Sequence, residues 1–398
     1  MSEVFDAIVS REKQVFMPTV RRWPVALERG FGSRVWDVEG REYVDLTAGW
    51  GVTGIGHCHP ELVLAISDQA RTLMQTTNIV YTKPQLDLAD RLARLAPRGI
   101  HQSFFTSSGA EANEGALKLA ARKTGRNRFV STHNSFHGRT LGVMGCLGQE
   151  KYRAPWKGIV REASFVPYGD ADALKAALTP EIAAFIVEPV QGEGGVVVPP
   201  PDYLRRVADA CHAAGALLIA DEVQTCVGRT GRWLACDHSG VTPDIVTLGK
   251  GLGGGFPLAA FMATEAVMGA IQPGDHGGTY AGNPLACRAG SAVLRVIEEQ
   301  GLVERAAVLG KDVLARLGEF AKSQTAKVEC TRGLGLLIGL VLRDAGHAAR
   351  VQTEARERGV LVNLTADRVL RLFPALNIPE RDLTQGLDVI EACIRDLS

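Results

Sequence analysis

The sequence predicts an α/β protein: a large domain on a mostly parallel sheet, joined to a smaller α+β domain. Three observations carry that reading. From Phe129 onward, apolar runs of strand length (FVST, FVPY, AAFIVEPV, LLIA, DIVTL) alternate with helical segments such as Tyr203–Ala214. Near-continuous apolar strands of this kind suit a parallel sheet covered on both faces. After Asn283-Pro284 the alternation stops, and helices at about 285–299, 302–324 and 346–358 surround short strands near 336–342 and 369–373. The 398 residues suffice for two domains. We place 1–50 and 289–398 in the smaller domain and 51–288 in the larger.

The N-terminal elements follow from local pattern. Short apolar runs at 26–28, 34–37 and 43–46, with a Glu39-Gly40 turn, predict a small β element containing a hairpin. Residues 49–60 form a glycine-rich loop. Leu62, Ala65, Ile66, Ala70 and Leu73 recur at helical spacing over 61–74, and 84–95 gives another helix. A strand at 103–106 runs through Ser107-Ser108-Gly109-Ala110 into a helix over 111–123. A small-residue turn opening a helix offers free backbone N–H groups and the positive end of the helix dipole to a phosphate. An ordinary N-cap by Ser108 is compatible with that, because the cap geometry itself makes the anion site.

The chemistry centres on 217–257. Two apolar strands lie there; the first ends in Asp221, and the second runs through Gly249 into Lys250 and a loop of Gly251, Gly253, Gly254 and Gly255. Groups at the carboxyl ends of parallel strands face a shared crevice. An acid and an amine around one pocket suit pyridoxal phosphate: the lysine forms a Schiff base with the cofactor aldehyde, and the carboxylate keeps the ring nitrogen protonated. Taken singly, a strand-end Asp and a loop Lys are ordinary surface residues.

Composition bounds the alternatives. Lys plus Arg equals Asp plus Glu at 44 each, so no excess charge points to nucleic acid or an anionic membrane. No apolar run approaches the length of a membrane span, and the start reads as no signal peptide, which predicts a cytoplasmic protein. The eight cysteines lack CxxC spacing and read as reduced thiols. His57-Cys58-His59 reads as a loop before Pro60 rather than a metal cluster, and no metal is expected. The Gly249-Lys250 pair lacks the upstream glycine and downstream Ser or Thr of a P-loop, and the glycines after it lack GxGxxG spacing.

Six stretches then carry a family resemblance: SSGAEANEGALKLA (107–120), NSFHGRTLG (134–142), IVEPVQGEGG (186–195), LIADEVQTCVGRTG (218–231), GKGLGGGFP (249–257) and HGGTYAGNPLAC (276–287). Together, and in this order, they resemble the class III pyridoxal-phosphate-dependent aminotransferases. The start (SRVWDVEGREYVDL, GIGHCHPELV) and end (RGLGLLIG, VLRLFPALNI) are most similar to the acetylornithine, succinylornithine and ornithine group. The resemblance implies fold type I and a homodimer with active sites at the subunit interface.

It also implies roles by position. Lys250 is the Schiff-base lysine and Asp221 the partner of the pyridine nitrogen. Gly109 and Ala110 give backbone N–H groups to the phosphate, and Thr279 adds a hydroxyl from the other subunit. Phe136 and Val223 take the two ring faces, and Gln224 approaches the ring hydroxyl. Arg371 takes the α-carboxylate of glutamate and Arg139 its far carboxylate, since guanidinium is the best planar partner for each. Glu193 pairs with Arg371 when the ω-amine substrate brings no carboxylate there. Ala110, Gly278 and Cys226 depart from the residues usual in the family; Gly278, beside Thr279, removes a small substrate or cofactor contact. The implied reaction moves the ω-amine of N-acetylornithine to 2-oxoglutarate in arginine biosynthesis. The alternatives are another ω-amine donor (succinylornithine, succinyldiaminopimelate, ornithine or 4-aminobutyrate), an aminomutase, or a non-catalytic member of the fold.

Overall fold

Seven strands form the central sheet of the computed structural model, which describes residues 2–398. Their order is β4 (Gln102–Thr106), β10 (Ala259–Ala263), β9 (Ile245–Leu248), β8 (Leu217–Asp221), β7 (Ile182–Val187), β5 (Arg128–Thr132) and β6 (Ser164–Val166). β10 pairs antiparallel with both neighbours, while the other pairs are parallel. Six strands therefore point the same way and end on one edge. β7 and β9 are buried at every position, as the unbroken apolar runs require. Each fully buried Val, Leu, Ile or Phe side chain there contributes roughly 1.5–3 kcal/mol.

Two further sheets have four strands each, and residues of both share one hydrophobic core. β1 (Leu27–Phe31), β2 (Arg34–Asp37) and β3 (Glu42–Asp45) form an antiparallel meander, and β3 also pairs in parallel with β13 (Val360–Leu361). The third sheet runs β11 (Val328–Leu334), β12 (Leu337–Leu342), β15 (Val369–Leu372), β14 (Asn363–Thr365), antiparallel throughout. The helix Glu380–Arg395 packs Leu383, Leu387, Ile390 and Ile394 into the core shared with β12 and β15. That helix, the helix Glu3–Val15 and strands β10, β11, β13 and β14 were absent from the sequence reading.

Local chemistry sets the helix that opens towards the site. Ser108 Oγ accepts from Glu111 N while Glu111 reaches back to the Ser108 amide, a capping box; Gly125, at φ +69°, ends the helix Gly109–Thr124. Asn283 caps the helix Pro284–Glu299, with Pro284 in its first turn, where no N–H is missed. His57 Nε2 lies 2.8 Å from Asp45 Oδ2, and Pro60 begins the helix Pro60–Thr72. Among the described residues no group of three His, Cys, Asp or Glu side chains converges as metal ligands would. No helix of theirs is long and apolar enough to cross a membrane.

Candidate active site

The common edge of the parallel strands gathers the chemistry. Asp221 is the last residue of β8, Lys250 follows β9 by two residues, Glu188 follows β7, and Ser107 to Ala110 follow β4. Phe136 and His137 come from the segment after β5. Arg371 enters from the small sheet, paired in register with Gly339 and Asn363.

Asp221, 3% exposed, is held from all sides. Its Oδ2 accepts from His137 Nδ1 at 2.7 Å and Asn113 Nδ2 at 2.8 Å, and its Oδ1 accepts from Val223 N at 3.0 Å. Thr247 Oγ1, at 3.4 Å from Oδ1, is the fourth and longest of the donors around the carboxylate. Lys250 sits at φ +44°, a left-handed conformation that costs a residue with a Cβ about 1–2 kcal/mol. Such strain concentrates at functional sites. Burial lowers the Lys250 amine from its ordinary value, Glu193 pulls it back up, and Arg371 adds to the lowering.

The glycines allow a close approach beside Lys250. A Cβ on Gly109 would fall 2.6 Å from Val223 Cγ1, and one on Gly249 would fall 3.2 Å from the same atom and 3.5 Å from Gly109 Cα. The start of the helix Gly109–Thr124 thus comes against Val223 and Gly249, beside Lys250, only because both positions lack side chains. Phe136 is pinned by its amide, which donates to Glu188 Oε1 at 2.9 Å; Glu188 Oε2 accepts from Gly192 N at 3.2 Å. Burial pushes the Glu188 carboxyl up to about 7.

Arg371 is fully buried. Its Nη1 donates to Glu193 Oε1 at 2.7 Å and Gln224 Oε1 at 3.0 Å, and Gln224 Nε2 donates to Glu193 Oε1 at 3.3 Å. Burial would raise the Glu193 carboxyl, but Arg371 and Lys250 outweigh it and hold it below its ordinary value. Arg371 Nε and Nη2 are buried without partners, as is Asn113 Oδ1. Arg139 is exposed, its guanidinium 4.6 Å from the Tyr152 ring and 5.8 Å from the Phe136 ring.

The structure therefore brings together Asp221, Lys250, Gly109, Ala110, Val223, Gln224, Glu193 and Arg371, with Phe136 and Arg139 joined to them through Glu188 and the Phe136 ring. Thr279 and Gly278 stand apart, exposed on a loop whose Thr279 carbonyl accepts from Gln75 Nε2 at 2.6 Å. Cys226, buried, directs its thiol at the Gly249 carbonyl, and burial pushes its pKa up to about 12. Asn113, His137, Glu188 and Thr247 were missed as site residues. Asn113 could have been found, since it lies one turn after Gly109 on the face that carries the phosphate-type cap.

This donor set fits pyridoxal phosphate. A buried carboxylate at the end of a parallel strand, an amine lowered towards its neutral form, and N–H groups at a capped helix start suit its ring nitrogen, aldehyde and phosphate in turn.

Comparison with known proteins agrees. The family model described as aminotransferase class-III matches residues 15–394. An acetylornithine aminotransferase of Methanothermobacter thermautotrophicus is 44% identical over 392 residues, 98% of this chain and 99% of that protein. One from Streptomyces coelicolor is 46% identical over 367 residues, 92% and 88% of the two chains. Among solved structures, the ornithine aminotransferase of Toxoplasma gondii ME49 superposes with a TM-score of 0.94 at 33% identity, covering 99% of this chain and 96% of that one. The acetylornithine aminotransferase of Elizabethkingia anophelis superposes with a TM-score of 0.87 at 32% identity, covering 99% of each.

Proposed function

The chain belongs to the class III aminotransferases, pyridoxal-phosphate enzymes of fold type I, and on that premise we propose that it moves the ω-amine of N-acetylornithine to 2-oxoglutarate. The products are N-acetylglutamate semialdehyde and glutamate, and the step belongs to arginine biosynthesis. Pyridoxal phosphate, when bound, supplies an aldehyde that takes up the amine and a ring that withdraws electrons from the reacting carbon. Asp221, oriented by His137 and Asn113, fixes the charge at the ring nitrogen. Gly109 and Ala110 would hold its phosphate, Phe136 and Val223 would cover its ring, and Gln224 would lie near the ring hydroxyl. Lys250 Nζ, already lowered by burial, holds and passes on the proton taken from the substrate carbon.

The observation that carries the substrate reading is the Glu193–Arg371 pair. Glutamate brings an α-carboxylate to Arg371, whereas an ω-amine substrate brings none. A buried guanidinium without an anion is costly, so Glu193 closes on it in the amine half-reaction and opens in the other. Arg139, exposed beside Phe136 and Tyr152, takes the remaining carboxylate.

The same reading makes the protein a cytoplasmic homodimer in which Thr279 and Gly278 reach the partner's site. Its support is an exposed apolar run, Leu73, Met74, Ile79, Val80, Tyr81 and Tyr280, on and beside the loop that carries Thr279. Residues 51–288 then form the large domain, with 1–50 and 289–398 the small one. Glutamate formation from 2-oxoglutarate with each candidate amine tests the function. N-acetylornithine should give the highest kcat/KM; a tenfold preference for ornithine, succinylornithine, succinyldiaminopimelate or 4-aminobutyrate would move the substrate, and conversion without 2-oxoglutarate would indicate an aminomutase.

A further inference from the structure

Arg229, on the loop after β8, is 3% exposed, yet among the described residues its side-chain partners are carbonyls and not a carboxylate. Nη1 donates to Leu336 O at 3.0 Å and Pro374 O at 2.6 Å, and burial lowers the guanidinium to about 9. A cation is expensive to bury without a counter-charge, so its position asks for more than packing.

Its neighbours connect it to the substrate site. The Arg229 guanidinium lies over the Phe373 ring, 4.5 Å from the centroid, and the Arg371 guanidinium lies 5.4 Å from the same centroid. Each cation is attracted to the negative face of the ring. Phe373 has little freedom: its amide donates to Leu46 O at 2.8 Å, and a Cβ on Gly51 would stand 2.4 Å from its Cζ. The carbonyls that Arg229 grips belong to Pro374, which follows Phe373, and to Leu336, which precedes β12, where Gly339 faces Arg371. Phe373 and the strand beside Arg371 are thus both fixed by one side chain. Arg371 itself keeps Nε and Nη2 buried and unpartnered.

We propose that Arg229 is a positioning residue for carboxylate recognition: by gripping the Leu336 and Pro374 carbonyls and the Phe373 ring, it holds Arg371 with Nε–H and Nη2–H free for a substrate carboxylate. This rests on the function proposed above, in which Arg371 takes a carboxylate in the glutamate half-reaction alone. A side chain that only stabilises the fold would serve both half-reactions equally.

The test uses the cofactor-loaded protein with Arg229→Met and Arg229→Lys. Each half-reaction is followed separately by the cofactor absorbance, and binding of glutarate, an unreactive dicarboxylate, is measured by calorimetry. Arg229→Met should weaken glutarate about tenfold and slow the glutamate half-reaction about tenfold more than the N-acetylornithine half-reaction. Arg229→Lys should recover part of both losses, since it keeps a cation and N–H donors near the ring and the carbonyls but lacks the planar guanidinium that lies over Phe373. Equal slowing of both half-reactions, or unchanged glutarate affinity, would overturn the proposal. Should Arg229→Met fail to fold, Phe373→Leu, with Arg229 intact, must show the same selective loss, and equal losses there also overturn it. A native protein that neither binds glutarate nor reacts with glutamate would overturn the aminotransferase reading itself, and the role of Arg229 with it.

Discussion

Replacing Glu193 with alanine should damage one half-reaction and spare the other. Arg371 is 0% exposed and Glu193 25% exposed, with 2.7 Å between Nη1 and Oε1. Removing one partner of a fully buried ion pair costs about 3–5 kcal/mol. Here the carboxylate is partly solvated and Gln224 Oε1 still accepts from Nη1 at 3.0 Å, so the loss should be nearer 2 kcal/mol. Felt in one half-reaction and not in the other, that is roughly 30-fold in the ratio of kcat/KM for N-acetylornithine over glutamate. In the glutamate half-reaction the substrate carboxylate itself supplies the counter-charge to Arg371, and the rate should stay within about threefold of the native protein. Rapid mixing of the cofactor-loaded variant with each amine alone reads the two steps separately. Equal losses in both would refute the partner exchange, and so would a selective loss on the glutamate side.

Three further outcomes follow from the geometry. Asp221→Asn turns one oxygen into an NH2 group that must face either His137 and Asn113 or the Val223 amide. The donor-against-donor contact should cost about 1–3 kcal/mol in urea unfolding and should slow both half-reactions alike; an unchanged midpoint contradicts the hydrogen-bond assignment. Gly109→Ala drives a methyl to 2.6 Å from Val223 and should cost about 1–3 kcal/mol while speeding cofactor loss on dialysis, read by its absorbance. A variant that retains cofactor as the native protein does would show that Gly109 does not shape the cofactor site. The Glu188 carboxyl, raised in the fold to about 7, keeps a proton that the unfolded chain releases above its ordinary value. Its contribution is therefore fully favourable at low pH and falls as pH rises from about 4.5 to about 7, by roughly 3 kcal/mol in all. Urea midpoints across that range should show this slope, and Glu188→Gln should flatten it.

What could be read from the sequence was what local pattern determines. Asp221 and Lys250 were legible because strand-length apolar runs end at them, and Ser108 because a cap and its Glu111 lie within one turn. The helix Tyr203–Ala214 matched its apolar spacing. β10 was lost because it follows the glycine loop without a break in composition, and its antiparallel direction is set by pairing with β4, which precedes it by more than a hundred residues. The setting of Asp221 was hidden for the same reason. Asn113 lies 108 residues away in the chain and His137 lies 84, so only the assembled sheet edge brings them to the carboxylate. Arg371 could be placed by its motif, but nothing local announces a fully buried cation. The pairing of β3 with β13 likewise joins the two ends of the chain and has no signature in either segment.

The central claim is that Lys250 and Asp221 serve an amine exchange whose donor is N-acetylornithine. It is tested most directly in a single turnover, with the pyridoxal-phosphate-loaded protein mixed separately with N-acetylornithine, N-succinylornithine, ornithine and 4-aminobutyrate and no keto acid present. The account predicts that N-acetylornithine converts the bound cofactor to its amine form fastest, that 2-oxoglutarate reverses the change, and that Lys250→Ala abolishes it. Conversion that persists in Lys250→Ala, or a protein that takes up no cofactor, would contradict it.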